Sequence, residues 1–108
     1  MEEYNIMSSV SNKCPGVCPV PRKITCFGPL AFFEMDKAVG VSLLDVMDQR
    51  REVINDNFEF IVSRLKEAID KLHSVGFLHS DIKLDNVFYD FYHSSVQLID
   101  FGNSKSFE

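Results

Sequence analysis

The chain has 108 residues, a formal charge of −5, 45% hydrophobic and 25% charged residues. That balance is that of an ordinary folded domain with room for one core, which excludes disordered and fibrous classes. The negative charge, with no Lys/Arg-rich run, argues against a general binder of nucleic acid or anionic membrane, since both are held through basic patches.

At the N-terminus, Met1-Glu2-Glu3-Tyr4 is acidic where a secretory leader would be basic. No stretch approaches the roughly 18 apolar residues of a membrane span, so the chain reads as intracellular. The three cysteines, Cys14, Cys18 and Cys26, are odd in number and crowded early, a pattern of reduced thiols rather than a disulfide scaffold. Cys14-Pro-Gly-Val-Cys18 lacks a second pair of ligands and reads as a plain loop, not a metal centre. From Met1 to Lys23 no periodicity stands out, and Pro15, Gly16, Pro19 and Pro21 predict an irregular arm.

Next, Ile24–Phe27 and Leu30–Met35, separated by Gly28-Pro29, predict a β-hairpin that has no neighbour in sequence. Ser42 is placed to cap a short helix through Met47. Phe58, Ile61, Val62, Leu65, Ala68, Ile69 and Leu72 recur at three- and four-residue steps and end before Gly76, which predicts an amphipathic helix of about five turns. Phe77–His79 and Asn86–Tyr89 flank a polar segment, and strands are expected at Asn86–Tyr89 and Ser95–Asp100, in the order helix, loop, strand, turn, strand.

Within the polar segment stands His79-Ser80-Asp81-Ile82-Lys83-Leu84-Asp85-Asn86, and Asp100-Phe101-Gly102 follows at the end of the last strand. The pattern resembles the catalytic loop and the Asp-Phe-Gly motif of protein kinases. Seven matching residue types at about one in twenty each make a chance match on the order of 10⁻⁹ per starting position. The resemblance implies phosphoryl transfer from ATP with Mg²⁺, chemistry that needs a carboxylate base and oxygen ligands for the metal. On that basis Asp81 takes the proton of the substrate hydroxyl, Lys83 steadies the γ-phosphate, and Asn86 and Asp100 hold Mg²⁺. His79 is a scaffold residue. Lys83 followed by Asn86 is similar to the Ser/Thr-specific form of the loop. Ser80 replaces the arginine that would read a phosphorylated activation loop.

Upstream, Leu30–Asp36 followed by Gly40-Val41-Ser42-Leu43 resembles the last small-lobe strand, the hinge and the helix after it. The resemblance then makes Phe33 the gatekeeper of the adenine pocket and gives the backbone of Glu34 and Asp36 the hinge hydrogen bonds. The whole is expected to be α+β: an N-terminal arm at 1–23 and a partial protein kinase-like domain at 24–108, with hinge strands, two helices, catalytic loop and Asp-Phe-Gly strand. Most of the small lobe and the late large lobe are not seen. The wording of the loop is similar to kinases of large DNA viruses, baculoviruses among them, which would place the chain in host cytoplasm or nucleus.

A Gly-rich loop, a Val-Ala-Ile-Lys lysine and its glutamate partner are not recognisable, and Lys13 and Lys23 lack the apolar setting. The sequence therefore predicts a kinase relative with little or no phosphotransferase activity as this chain, with a protein substrate as partner. The alternative is a non-catalytic mimic that binds and modulates a genuine protein kinase. Exposed apolar positions on the long helix, at about 1.5–3 kcal/mol for each large side chain left unburied, predict marginal stability or a covering partner.

Overall fold

The computed structural model describes residues 2–106. It opens with a helix, α1 (Glu2–Lys13), where the sequence predicts an irregular arm. Ile6, Met7 and Val10 are buried along one stripe, and this packing overrides the weak helix propensity of Ser8, Ser9, Ser11 and Asn12. The arm is thus the helical wall of the core. Cys14 ends α1 in a turn: its carbonyl accepts from Val17 N at 3.2 Å, with Pro15 second and Gly16 third at φ +92°. Proline followed by a positive-φ glycine is the type II arrangement.

That turn is tied to the rest of the chain. Leu98 N donates to Val17 O at 2.7 Å, and the Cys14 thiol donates to Lys71 O at 3.4 Å. The Cys18 thiol donates to Met7 O at 3.8 Å. Burial, and secondarily the nearby Cys14, push the Cys18 thiol up to about 12, so it packs as a small uncharged side chain.

β1 (Pro21–Phe27) and β2 (Leu30–Met35) form an antiparallel pair standing as their own two-stranded sheet. Thr25 faces Phe32 and Phe27 faces Leu30, with a bulge between Pro21 and Ile24. The hairpin is where the sequence places it. It is little covered: Phe27 is 76% and Leu30 66% exposed.

The other half is built around a second, three-stranded sheet, β3 (Val41–Ser42), β5 (Val87–Asp90) and β6 (Ser95–Leu98), in the order β3-β5-β6 and all antiparallel. Gly40, at φ +95°, lets β3 run close to β5, since a Cβ there would overlap the Tyr89 carbonyl. Ser42 caps α2 (Leu43–Gln49) as expected, its hydroxyl accepting from Leu44 N at 3.2 Å. A short α3 (Arg51–Asp56) leads into α4 (Phe58–Ser74). On α4, Ile61, Ala68 and Leu72 are buried, whereas Phe58 and Val62 remain exposed. The expected apolar stripe is therefore only partly covered. After Gly76 (φ +96°), β4 (Phe77–Leu78) pairs with β7 (Lys105–Ser106), and this pairing brackets the polar loop between them.

Candidate catalytic site

The loop from His79 to Asn86 is held from inside by His79. Its Nδ1 accepts from Asp81 N at 3.2 Å, which leaves the proton on Nε2 for Ile99 O at 2.7 Å. The His79 ring also packs edge-on to Phe101, centroids 4.8 Å apart, and its carbonyl accepts from Ser104 Oγ at 3.2 Å. One buried imidazole thereby joins the loop to the residues on both sides of Asp100. The scaffold role expected for His79 is the geometry observed.

Asn86 ends a 3₁₀ turn (Leu84–Asn86) and is buried. Its Nδ2 donates to Asp81 O at 3.0 Å and reaches Asp81 Oδ2 at 3.3 Å. Because the amide nitrogen is spent on Asp81, its Oδ1 is the atom left for a ligand. Lys83 Nζ lies 3.8 Å from Asp81 Oδ2, so the structure brings Asp81, Lys83 and Asn86 together. Ile99 N donates to Asn86 O at 3.0 Å, connecting the loop to the segment just past β6 that carries Asp100. Asp100 is exposed and sits at φ +59°, with Ser80 at φ +70°. Two non-glycine residues in the left-handed region cost about 1–3 kcal/mol each, strain that gathers at functional sites. Asp100 Oδ1 also takes Gly102 N at 3.4 Å.

A protein kinase domain model matches residues 1–108. The chain belongs to the protein kinase family. It is 35% identical over 71 residues to serine/threonine-protein kinase 1 of Heliothis zea nuclear polyhedrosis virus, covering 66% of this chain and 26% of that protein. Against the serine/threonine-protein kinase WARTS homolog of Caenorhabditis elegans it is 34% identical over 71 residues, 66% of this chain and 8% of that one. Its fold is similar to the Cydia pomonella granulovirus kinase PK-1, TM-score 0.68 at 20% identity, over 96% of this chain and 38% of that structure. The chain thus spans 26% and 8% of these two curated relatives, and it is Ser/Thr-kinase-like with a partial kinase fold.

α1 also reaches this site. Glu3 Oε2 accepts from Phe101 N at 3.0 Å, so an α1 carboxylate grips the Asp-Phe-Gly segment. No local motif in the sequence announces this contact; the signal it carries is Glu3 one turn before the buried Met7. Among the described residues, no lysine forms a salt bridge to Glu3.

At the hinge, Phe33 is half-buried and its ring meets Tyr4 of α1 edge-on at 5.5 Å. Glu34 and Asp36 are exposed. The Asp36 carboxylate is held by Arg22 at 2.9 and 2.7 Å, and the hydrogen bond from Arg22 pulls its pKa below the usual range. The Asp36 N–H is already donated to Val20 O at 2.9 Å. This narrows the expectation for that backbone, because in this conformation only its carbonyl stays available. Asp81, Lys83, Asn86 and Asp100 line neither of two clefts: one of about 340 Å³ lies between the Pro15–Val17 turn, α4 and the β5–β6 turn, the other, of about 210 Å³, beside α2 and Phe91.

Proposed function

We propose that this chain carries a Ser/Thr protein kinase type of phosphoryl-transfer site with little turnover of its own. The observation that carries it is the Asn86 clamp: one amide nitrogen fixes Asp81 and leaves the amide oxygen as the acceptor, arranging a base and a hard oxygen ligand together. Asp81 accepts the proton of a protein hydroxyl, and Lys83, beside it, balances charge on the transferring phosphoryl group. Asn86 Oδ1 and the Asp100 carboxylate are the oxygen donors that Mg²⁺ requires, so the residues present fit the ion, which when bound with ATP would neutralise developing phosphate charge. Phe33, Glu34 and Asp36 form the edge against which adenine would rest. Glu3 has no lysine bridge among the described residues, and this supports weak anchoring of the ATP phosphates and hence low activity.

The test is transfer of labelled phosphate from ATP to a protein substrate, with Asp100→Ala beside the native chain. Asp100-dependent incorporation far above background would sink the low-activity part, and failure of Mg-ATP to bind at all would sink the site assignment. A second reading, a non-catalytic partner of a genuine kinase, is favoured by the exposed hairpin side chains Phe27, Leu30 and Phe32, since apolar patches mark protein contacts. Loss of a co-purified kinase when these are changed to serine supports it; an isolated monomer that alters no kinase counts against it.

A further inference from the structure

The hinge residue Asp36 is held from two sides. Its N–H goes to Val20 O at 2.9 Å, and its carboxylate receives both Arg22 Nε and the terminal guanidinium nitrogen, at 2.9 and 2.7 Å. A two-bond fork fixes orientation as well as distance, which a lysine could not do. Arg22 is itself anchored: it lies in the bulge between Pro21 and Ile24, and the Tyr4 hydroxyl donates to its carbonyl at 3.4 Å. Both charged side chains are largely solvent-exposed, at 61% and 45%. A pair so exposed contributes little to folding, so its main consequence is geometric.

That geometry bears on which purine the hinge can read. Adenine presents an acceptor at N1 and wants an N–H from the protein, whereas guanine presents an N1–H donor and wants a carbonyl. With the Asp36 N–H committed to Val20, the residue offers only its carbonyl. We infer that Arg22 is a specificity-determining residue of the nucleotide edge, latching Asp36 in a conformation that disfavours adenine relative to a purine donating at N1. The inference rests on the nucleotide site proposed above. It requires no new pocket, only competition between Val20 O and a base for one backbone donor.

Removing the fork frees Asp36 to turn its N–H toward the ligand. The experiment is titration of the full chain with Mg-ATP and, separately, Mg-GTP, for native protein, Arg22→Ala, Arg22→Lys and Asp36→Asn, each first checked for an unchanged melting transition. Arg22→Ala should bind ATP about two- to fivefold more tightly, the span an exposed pair can exert, while GTP affinity stays level or falls. Arg22→Lys should lie between, because it keeps charge but loses the fork, and Asp36→Asn should reproduce the alanine result through the other partner. An ATP-to-GTP ratio that is the same in all four proteins would overturn the latch while leaving the nucleotide site intact. Absence of binding by either nucleotide in all four would overturn the nucleotide site itself and the latch with it. If Arg22→Ala fails to fold, Arg22→Lys and Asp36→Asn decide the question.

Discussion

The chain contains two β-hairpins of opposite character. In β5–β6 the facing pairs Val87–Leu98 and Tyr89–Val96 turn all four side chains inward, at 6% exposure or less. In β1–β2 the strands are longer, yet Ile24, Phe27, Leu30, Phe32 and Met35 are all exposed. Alternation and a tight turn suffice to make a hairpin, but a hairpin becomes core only when something lies on it. β5–β6 shares a core with α4, α1 and Phe101. β1–β2 is covered at Pro21 and at Phe33, which packs on the core and meets Tyr4, while its other large apolar side chains are exposed. The proposed catalytic residues hang from the covered half, and the proposed nucleotide edge belongs to the open one.

The sharpest break of that contrast is a pair of truncations. Leu98 is fully buried, and Leu98→Ala should cost about 2–5 kcal/mol through lost transfer energy and a residual cavity, a large fraction of a small domain's stability. Phe27→Ser, on the other hairpin, should fall within about 0.5 kcal/mol of the native chain, as exposed positions do. Urea denaturation of the two variants measures both. Equal losses would mean that the β1–β2 face is covered in solution.

Two glycines extend the comparison at smaller scale. Both Gly40 and Gly28 have positive φ, but a Cβ on Gly40 would strike the Tyr89 backbone while one on Gly28 would meet open space. Gly28→Ala should therefore cost about 1 kcal/mol, the conformational penalty alone. Gly40→Ala should exceed it by roughly 1–3 kcal/mol as β3 is pushed from β5. A comparable midpoint for both would show that β3 has room to move away from β5 at little cost.

Much of the covered half is legible in the sequence because its signals are local and redundant. Ser42 reads as a cap and is one; Ile61, Ala68 and Leu72 keep helical spacing and are buried. His79, Asp81, Asn86 and Asp100 carry a pattern whose chemistry fixes their spacing. What escaped lies where long-range contact overrides local preference. α1 is written in serines and asparagines, and Ile6, Met7 and Val10 become helix only against a core whose other walls lie tens of residues away. Glu3 has no local pattern that announces a hydrogen bond to Phe101. The Asp36 backbone was equally invisible, since the donor's direction follows from the β1 bulge and Val20 rather than from residue type.

Ser42→Ala is the next smaller test, at about 1 kcal/mol for the lost cap. The expected signature is a lower denaturation midpoint with no change at the hinge, because among the described residues Ser42 Oγ hydrogen-bonds Leu44 N and, at 3.5 Å, Leu84 O, neither of them at the hinge. A shift in nucleotide affinity larger than the stability change would show that α2 communicates with the open half.

The smallest effect separates the two hairpins by pH. Asp90, in the β5–β6 turn, accepts from His93 Nδ1 at 2.6 Å and from Tyr92 N and His93 N at 2.9 and 3.3 Å. The hydrogen bond from His93 is the leading reason its carboxyl sits below the usual range. Asp36 is lowered as well, chiefly by its hydrogen bond from Arg22. Each carboxylate thus favours the folded chain above the ordinary value of about 3.9, and the contribution fades as pH falls through the lower folded value. The Asp36 pair is open to solvent, while the Asp90 side chain is only 12% exposed, so salt screens the first far more than the second. Melting curves taken from about pH 6 to about pH 2.5 should therefore show an acid-side loss that Asp90→Asn reduces at low and high salt alike. Asp36→Asn should reduce it only at low salt. If high salt erased the Asp90 contribution too, the β5–β6 turn would be as open to water as the hinge, and the division into a covered and an open hairpin would fail at that end.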